Sequence, residues 1–180
     1  MVVDAAFKIA REHGIEQVMV KNIAKKLGCS VQPIYSYCKN MEELRRAVAE
    51  QAQKFVQAYV AAHIDKNDLF RSTGRAYVQI AQEEPHILKL FTFKERSNIS
   101  SLDDLYQSET NPQIAQAIAS ELDISTEKAK QLHLNMLIYT LGISTLLSVA
   151  KPGIPAEEIY LQQELAYYAF LKNACSLKNI

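Results

Sequence analysis

The chain has 180 residues and no formal net charge at pH 7, with 48% hydrophobic and 22% charged residues. This balance is typical of a folded globular protein and excludes a disordered chain or a collagen-like fibre. Three cysteines without zinc-like spacing argue against a disulfide framework. The first residues show no export signal, so we expect a cytoplasmic protein.

The first 27 residues predict two short helices. Apolar residues at helical spacing over 3–13 indicate the first helix, and Gly14 is placed to end it. The same pattern returns over 21–27 and stops at Gly28. Few residues separate the two helices, so we expect them to pack against each other.

A third short helix is predicted in the polar and aromatic stretch GCSVQPIYSYCKN, residues 28–40. Ser30 is placed to cap it, Pro33 is tolerated in its first turn, and Ile34 supplies a buried contact. Two helices joined by a turn that contains glycine predict a helix-turn-helix motif.

Beyond residue 40 the sequence predicts helices almost throughout. Asn40 and Glu43 have the spacing of a capping box, which starts a long helix that runs to about residue 63. Further helices are predicted at 69–83, 85–91, 112–122, 126–150 and 155–177, whereas 98–111 is the least periodic stretch. No alternating strand pattern is present, so the predicted fold class is all-α.

Basic side chains are concentrated near the predicted motif. Residues 1–40 carry six Lys or Arg against three Asp or Glu, which is compatible with a nucleic-acid surface, although charge runs are usually solvated faces. In a major groove, Gln32 can bond adenine through two hydrogen bonds and Pro33 can touch a thymine methyl. The predicted DNA contacts are Lys21, Ser30, Gln32, Pro33, Tyr35, Ser36, Tyr37 and Lys39. An ordinary helical hairpin with aromatic core residues is the alternative.

At these residues the sequence resembles the TetR family of bacterial transcriptional regulators. The resemblance covers residues 5–48 and includes Gly14, the Leu-Gly pair at 27–28, Tyr-x-Tyr at 35–37, and Lys39. It implies a homodimer with a three-helix DNA-binding head, residues 1–45, and a helical ligand-binding and dimerisation domain, residues 46–180. It also implies that the exposed residues of 32–37 lie on the recognition helix, with Lys39 on the DNA backbone.

The predicted C-terminal helices supply candidates for the other two sites. Their wide apolar surfaces predict a two-fold dimer through a four-helix bundle. The predicted interface residues are Tyr139, Gly142, Ile143, Thr145, Leu146, Leu161, Leu165 and Tyr168. The candidates for a mostly apolar ligand pocket with a few polar anchors are Tyr77, Phe91, His133, Leu137 and Thr140.

Residues 131–150 hold no formal charge and approach the length of a membrane span. Six polar side chains make the segment too polar for a lone lipid-facing helix, so we expect a buried helix and no membrane partner. Its polar groups either are satisfied inside a core or line a cavity.

The sequence gives little support for catalysis. It has no Gly-rich phosphate loop, no GxSxG motif and no metal-ligand helix pair, so no enzyme activity, metal or cofactor is predicted. Cys29 and Cys38 are open to either a packing or an oxidant-sensing role. We expect a transcriptional regulator, a repressor that leaves a palindromic operator when a small molecule binds. The alternative is a helical protein-interaction module without DNA binding.

Overall fold

A computed structural model describes residues 1–37, 40–65, 68–96, 98–150 and 153–176. Within these ranges the regular structure is helical and includes no strand, which confirms the predicted all-α class. The α-helices are α1 Val2–His13, α2 Val20–Leu27, α3 Gln32–Tyr37, α4 Met41–Ala62, α5 Leu69–Glu83, α6 Pro85–Thr92, α7 Leu102–Glu109, α8 Pro112–Leu122, α9 Thr126–Ala150 and α10 Ala156–Ser176, with a 3-10 turn at Ile15–Gln17.

The chain forms two compact units, and each draws on several parts of the sequence. The first consists of residues 1–63, 79–94 and 145–151, and the second of residues 64–78, 95–144 and 152–180. The three-helix head lies in the first unit, together with α4 and α6. The domain boundary at residue 45 stays a prediction.

The head helices are short and share one apolar core. Helices of six to twelve residues are marginal in water when isolated, so their stability comes from packing. α1 contacts α2, α4 and α6, and α2 contacts α3. The residues that these contacts bury include Ala6, Ile9, Ala10, Val18, Ile23, Ile34, Leu44 and Val48.

The helix ends agree with the sequence at Gly14, which ends α1, at Gly28 and at Asn40, and they differ at Ser30. Gly28 ends α2 in the left-handed conformation (φ 66°), and the Asn40 side chain caps α4 by accepting the Glu43 N–H at 2.8 Å. The expected cap at Ser30 is wrong, because α3 begins at Gln32 and the residue before it is Val31. The helix therefore starts without a capping side chain at that position.

Helix α7 lies in the stretch that the sequence pattern left without a predicted helix. It is started by Ser101, whose side chain accepts the Asp104 N–H at 3.1 Å. Asp103 and Asp104 stand in its first turn, where acidic side chains favour a helix. Local capping chemistry, rather than apolar periodicity, defines this helix.

The core of the second unit forms where α8, α9 and α10 meet. Its buried members are Ile118, Ala119, Ala129, Leu132, Met136 and Tyr167. By length and composition alone α9 would pass as a membrane span, a test that core helices also pass. Within this unit, Leu132, Met136, Thr140 and Ser144 follow one another at every fourth residue and are all buried. On this face, α9 is a core helix.

The conformation of Gly28 makes it sensitive to substitution. At φ 66° a Cβ atom is strained even though nothing lies within 4 Å of its position. We expect Gly28→Ala to lower the free energy of unfolding by about 1–2 kcal/mol, and the thermal midpoint by about 2–4 °C per kcal/mol. Calorimetry measures both. Gly153→Ala, in equally open space without a positive φ, is the matched control, and an equal loss there would contradict this explanation.

Candidate nucleic-acid interface

Helix α3 has one buried side and a broad exposed side. Ile34 is 1% exposed and fixes the helix to the head, whereas Tyr35 and Tyr37 are 60% and 61% exposed. Gln32, Pro33 and Ser36 are exposed as well. The five α3 residues predicted to meet DNA therefore share a solvent-facing surface around one buried anchor, and their contacts with DNA stay a prediction.

The other predicted DNA contacts lie around this helix in the sequence. Ser30 is exposed in the turn before α3, and Lys21 is exposed in the first turn of α2. Lys39 lies outside the described residues, as does Cys38. Cys29 is exposed beside Gly28.

Within α3 the polar groups differ in their freedom to reach a ligand. The Ser36 hydroxyl donates a hydrogen bond to the Gln32 carbonyl oxygen at 3.2 Å. A hydroxyl has a single hydrogen, so Ser36 must give up this bond before it can donate to a phosphate. Tyr35 and Tyr37, with long and exposed side chains, reach further outward. Among the α3 hydroxyl groups, the tyrosines are thus better placed for phosphate contacts.

Two apolar residues that directly precede head helices are exposed, and neither is among the predicted DNA contacts. Met19 precedes α2 and is 45% exposed, and Val31 precedes α3 and is 42% exposed. Neither side chain can cap a helix, although both occupy cap positions. The sequence did contain a signal for both residues. Each is apolar at a position directly before a helix, where Ser, Thr, Asp or Asn is preferred.

Polar contacts join α1 to its neighbours in the first unit. Lys26 of α2 donates to Glu12 of α1 at 2.7 Å, which lowers the pKa of the Glu12 carboxyl group. Arg11 donates through Nε to Glu84, just before α6, at 2.8 Å, and its guanidinium lies 5.0 Å from the centre of the Phe55 ring of α4. These contacts fix α1 against three surrounding segments of the first unit.

The helix-turn-helix geometry corresponds to a known protein family. Residues 2–48 match the family model described as bacterial regulatory proteins, tetR family. Residues 2–48 are therefore a DNA-binding head of the TetR-family type. The match covers the three head helices and the start of α4, and it supports a role in transcriptional regulation.

The fold is shared with solved structures along nearly the whole chain. The chain is similar to BioQ bound to its natural double-stranded DNA operator, with 18% identity, a TM-score of 0.59, and 95% of this chain and 96% of that chain covered. BioQ of Mycobacterium smegmatis has 19% identity, a TM-score of 0.55 and the same coverage. The TetR-family regulator HI0893 of Haemophilus influenzae has 20% identity, a TM-score of 0.59 and 93% of each chain covered. No curated protein matches the sequence significantly.

The predicted ligand residues are divided between the units. Phe91 is buried in the first unit, and the other four belong to the second. In the second unit, His133, Leu137 and Thr140 follow one another on one side of α9. Tyr77 belongs to the same unit, and burial raises its pKa to about 12. Their role in binding a ligand stays a prediction.

His133 lies in an aromatic environment. Tyr106, which is fully buried, places its hydroxyl oxygen 2.9 Å from His133 Nδ1, and the Phe70 ring packs edge-on at 5.7 Å. Burial lowers the pKa of His133 to about 4. The ring is therefore neutral at pH 7, and a hydrogen bond joins its Nδ1 to the Tyr106 hydroxyl group.

A buried polar cluster next to Thr140 was not foreseen from the sequence. Gln163 of α10 donates through Nε2 to the Gly74 carbonyl oxygen at 3.1 Å, but its Oε1 has no partner among the described residues. A Cβ atom at Gly74 would lie 3.2 Å from that Nε2 and 3.7 Å from Thr140 Oγ1. One turn beyond Thr140, the hydroxyl of fully buried Ser144 also has no partner in the described part of the chain. Two buried polar groups in this unit are thus available to a ligand or a water molecule.

The predicted dimer residues are largely exposed. Leu161, Leu165 and Tyr168 are each more than half exposed and share one side of α10, opposite its buried residues. On α9, Gly142 is exposed and Tyr139 and Ile143 are partly exposed in the second unit. Leu146 is 67% exposed in the last part of α9, which belongs to the first unit together with partly exposed Thr145.

Burial of His133 has a consequence for pH dependence. Its folded pKa of about 4 lies below the ordinary value of 6.5, so the unfolded chain takes up the proton first as the pH falls. We expect the contribution of His133 to the free energy of unfolding to have its full value above pH 6.5 and to fall by roughly 2–3 kcal/mol as the pH falls to 4. Urea unfolding at several pH values measures the loss.

Two variants isolate the effect of this histidine from that of the carboxyl groups, which also titrate in this range. His133→Gln should show a weaker dependence of unfolding free energy on pH between 6.5 and 4. Gln131→Ala, at an exposed site in the same helix, removes no titratable group and should leave the dependence as it is in the wild type. Parallel pH curves for the wild type and His133→Gln would contradict the assignment.

Proposed function

We propose that this regulator is a cytoplasmic repressor that binds a palindromic DNA operator as a homodimer and leaves it when a small molecule occupies the second unit. The exposed side of α3, fixed to the head by Ile34, carries the proposal. A helix in the major groove needs base-reading side chains on an exposed surface and a rigid support behind it. The likeness to operator-bound BioQ supports this geometry.

The residue types on α3 fit base and phosphate contacts. Gln32, exposed at the first helical position, is able to form two hydrogen bonds with an adenine edge. Tyr35 and Tyr37 are long enough to reach phosphates on either side, and Lys21 adds a positive charge at the start of α2. The function proposed for this surface is binding and not catalysis.

Exposed apolar side chains support the homodimer. Burying three large side chains such as Leu161, Leu165 and Tyr168 would stabilise an association by about 1.5–3 kcal/mol for each fully covered aliphatic or aromatic group. A two-fold axis places the same patch of both subunits in contact. Gly142 allows two helices to approach closely because it has no side chain. The proposed interface is a four-helix bundle of α9 and α10 from both subunits.

The buried polar cluster supports an effector site. Unpartnered buried polar atoms are uncommon in folded proteins and call for an explanation. Gln163 Oε1 accepts a hydrogen bond and the Ser144 hydroxyl can donate or accept one, so each suits a neutral ligand that carries an N–H or O–H group. Thr140, predicted as a ligand residue, lies in the same cluster.

Two alanine substitutions test the DNA surface. Gln32→Ala should weaken binding to the preferred site by about 1–3 kcal/mol and relax the preference at one base pair, because it removes a base contact. Lys21→Ala should weaken binding to every sequence alike and reduce the salt slope by about one unit for each phosphate that the lysine no longer neutralises. Fluorescence anisotropy with duplexes selected from a randomised library, measured at several salt concentrations, gives both quantities.

The same titrations test the regulator against an interaction module. Binding that fails to weaken as salt rises, or an operator preference that survives Gln32→Ala with an unchanged thermal midpoint, would contradict the proposal. Both side chains are exposed, so neither substitution should unfold the protein.

A charge placed on the exposed side of α10 tests the homodimer. Leu165→Glu should lower the affinity between subunits by at least about tenfold, because a carboxylate would be buried without a partner. Sedimentation equilibrium over a range of protein concentrations measures the affinity. Gln116→Glu adds the same charge at an exposed position of α8 and should leave association unchanged. A monomeric wild-type mass at micromolar concentration would contradict the homodimer.

A further inference from the structure

Val31 is an apolar residue at a position where a helix favours a polar one. Its carbonyl oxygen accepts the N–H groups of Ile34 at 3.1 Å and Tyr35 at 3.3 Å, which places it directly before the first residue of α3. Ser, Thr, Asp or Asn at this position would cap the helix, whereas Val is among the poorest choices. Departures from a local rule are expected where a residue serves a function.

The side chain of Val31 adds to the exposed side of α3. It is 42% exposed, and Tyr35, one helical turn later, is 60% exposed. Residues four positions apart are neighbours along a helix. Both side chains are therefore in contact with water in the free chain, and an apolar group of a partner would cover them favourably.

We propose that Val31 is a specificity-determining residue that contacts the C5-methyl group of a thymine in each operator half-site. This inference rests on the operator binding proposed above. Residues at the start of a recognition helix contact base edges, and the thymine methyl is the apolar group that base pairs present in the major groove. The proposed contact is between the apolar side chain of Val31 and the thymine methyl group. It does not depend on the partial positive charge at the N-terminus of α3.

The neighbouring residues are consistent with this assignment. Gln32 directly follows Val31, so a base edge read by hydrogen bonds and a methyl read by apolar contact would be adjacent in the operator. The Tyr35 ring would cover the second side of the methyl group. A step that combines an adenine edge with a nearby thymine is therefore expected in each half-site.

Replacement of thymine by uracil tests the contact, because it removes only the methyl group. The operator is selected from a randomised duplex library with the full-length wild-type chain, and each thymine is then replaced in turn. We expect one thymine in each half-site whose replacement weakens wild-type binding about fourfold, the factor that corresponds to burying one methyl group. At that position, Val31→Ala should lose most of the difference between the thymine and uracil duplexes, and the contact with the Tyr35 ring should account for the remainder.

Two further variants act as controls. Met19→Ala removes another apolar head side chain of similar exposure, 45%, and should keep the difference between the two duplexes. Val31→Thr retains one of the two methyl groups and should keep part of it. Thermal midpoints verify that each variant is folded.

The assignment is overturned if no thymine shows the difference with the wild type. It is also overturned if Val31→Ala keeps the whole difference, or if Pro33→Ala abolishes it while Val31→Ala does not. If the chain selects a specific site but its affinity for that site does not change on removal of any methyl group, only the inference about Val31 is overturned. Failure to select any sequence overturns the proposed operator binding as well.

Discussion

Burial of Ile34 is the constraint on which the candidate DNA surface depends. A helix of six residues has too few internal hydrogen bonds to persist alone. One buried aliphatic side chain secures it to the core that α1, α2 and α4 provide, and this leaves the rest of its surface free. The exposed side chains of α3 that would contact DNA can therefore vary in type, because the burial of Ile34 stabilises the helix without them.

The charged residues of the head also differ in what they contact. Glu12 binds Lys26 and Glu84 binds Arg11, so these two cations serve to position helices. Lys21, by contrast, is exposed in the first turn of α2. The modest basic excess of residues 1–40 therefore overstates the charge that is available to a phosphate backbone, and α3 itself carries no charged side chain.

Much of the fold was predictable because it is governed by local signals. The stop at Gly28 and the cap at Asn40 follow from backbone conformation and capping chemistry, and both are visible in the sequence. Helix α7 was not foreseen because its apolar pattern is weak and its start depends on Ser101. The Gly74–Gln163 contact joins residues 89 positions apart, and no local pattern reports a pairing over that distance. Exposure of Val31 likewise became apparent only when the first residue of α3 was known.

The bond between Arg11 and Glu84 bears on the construction of chimeric regulators. A hybrid made by joining residues 1–45 to the core of another family member would remove both Glu84 and the Phe55 ring from beside Arg11. The transplanted α1 would then carry a guanidinium without its carboxylate. A junction placed after residue 94 would carry both contacts along. The unit of exchange in this protein is thus larger than the DNA-reading motif itself.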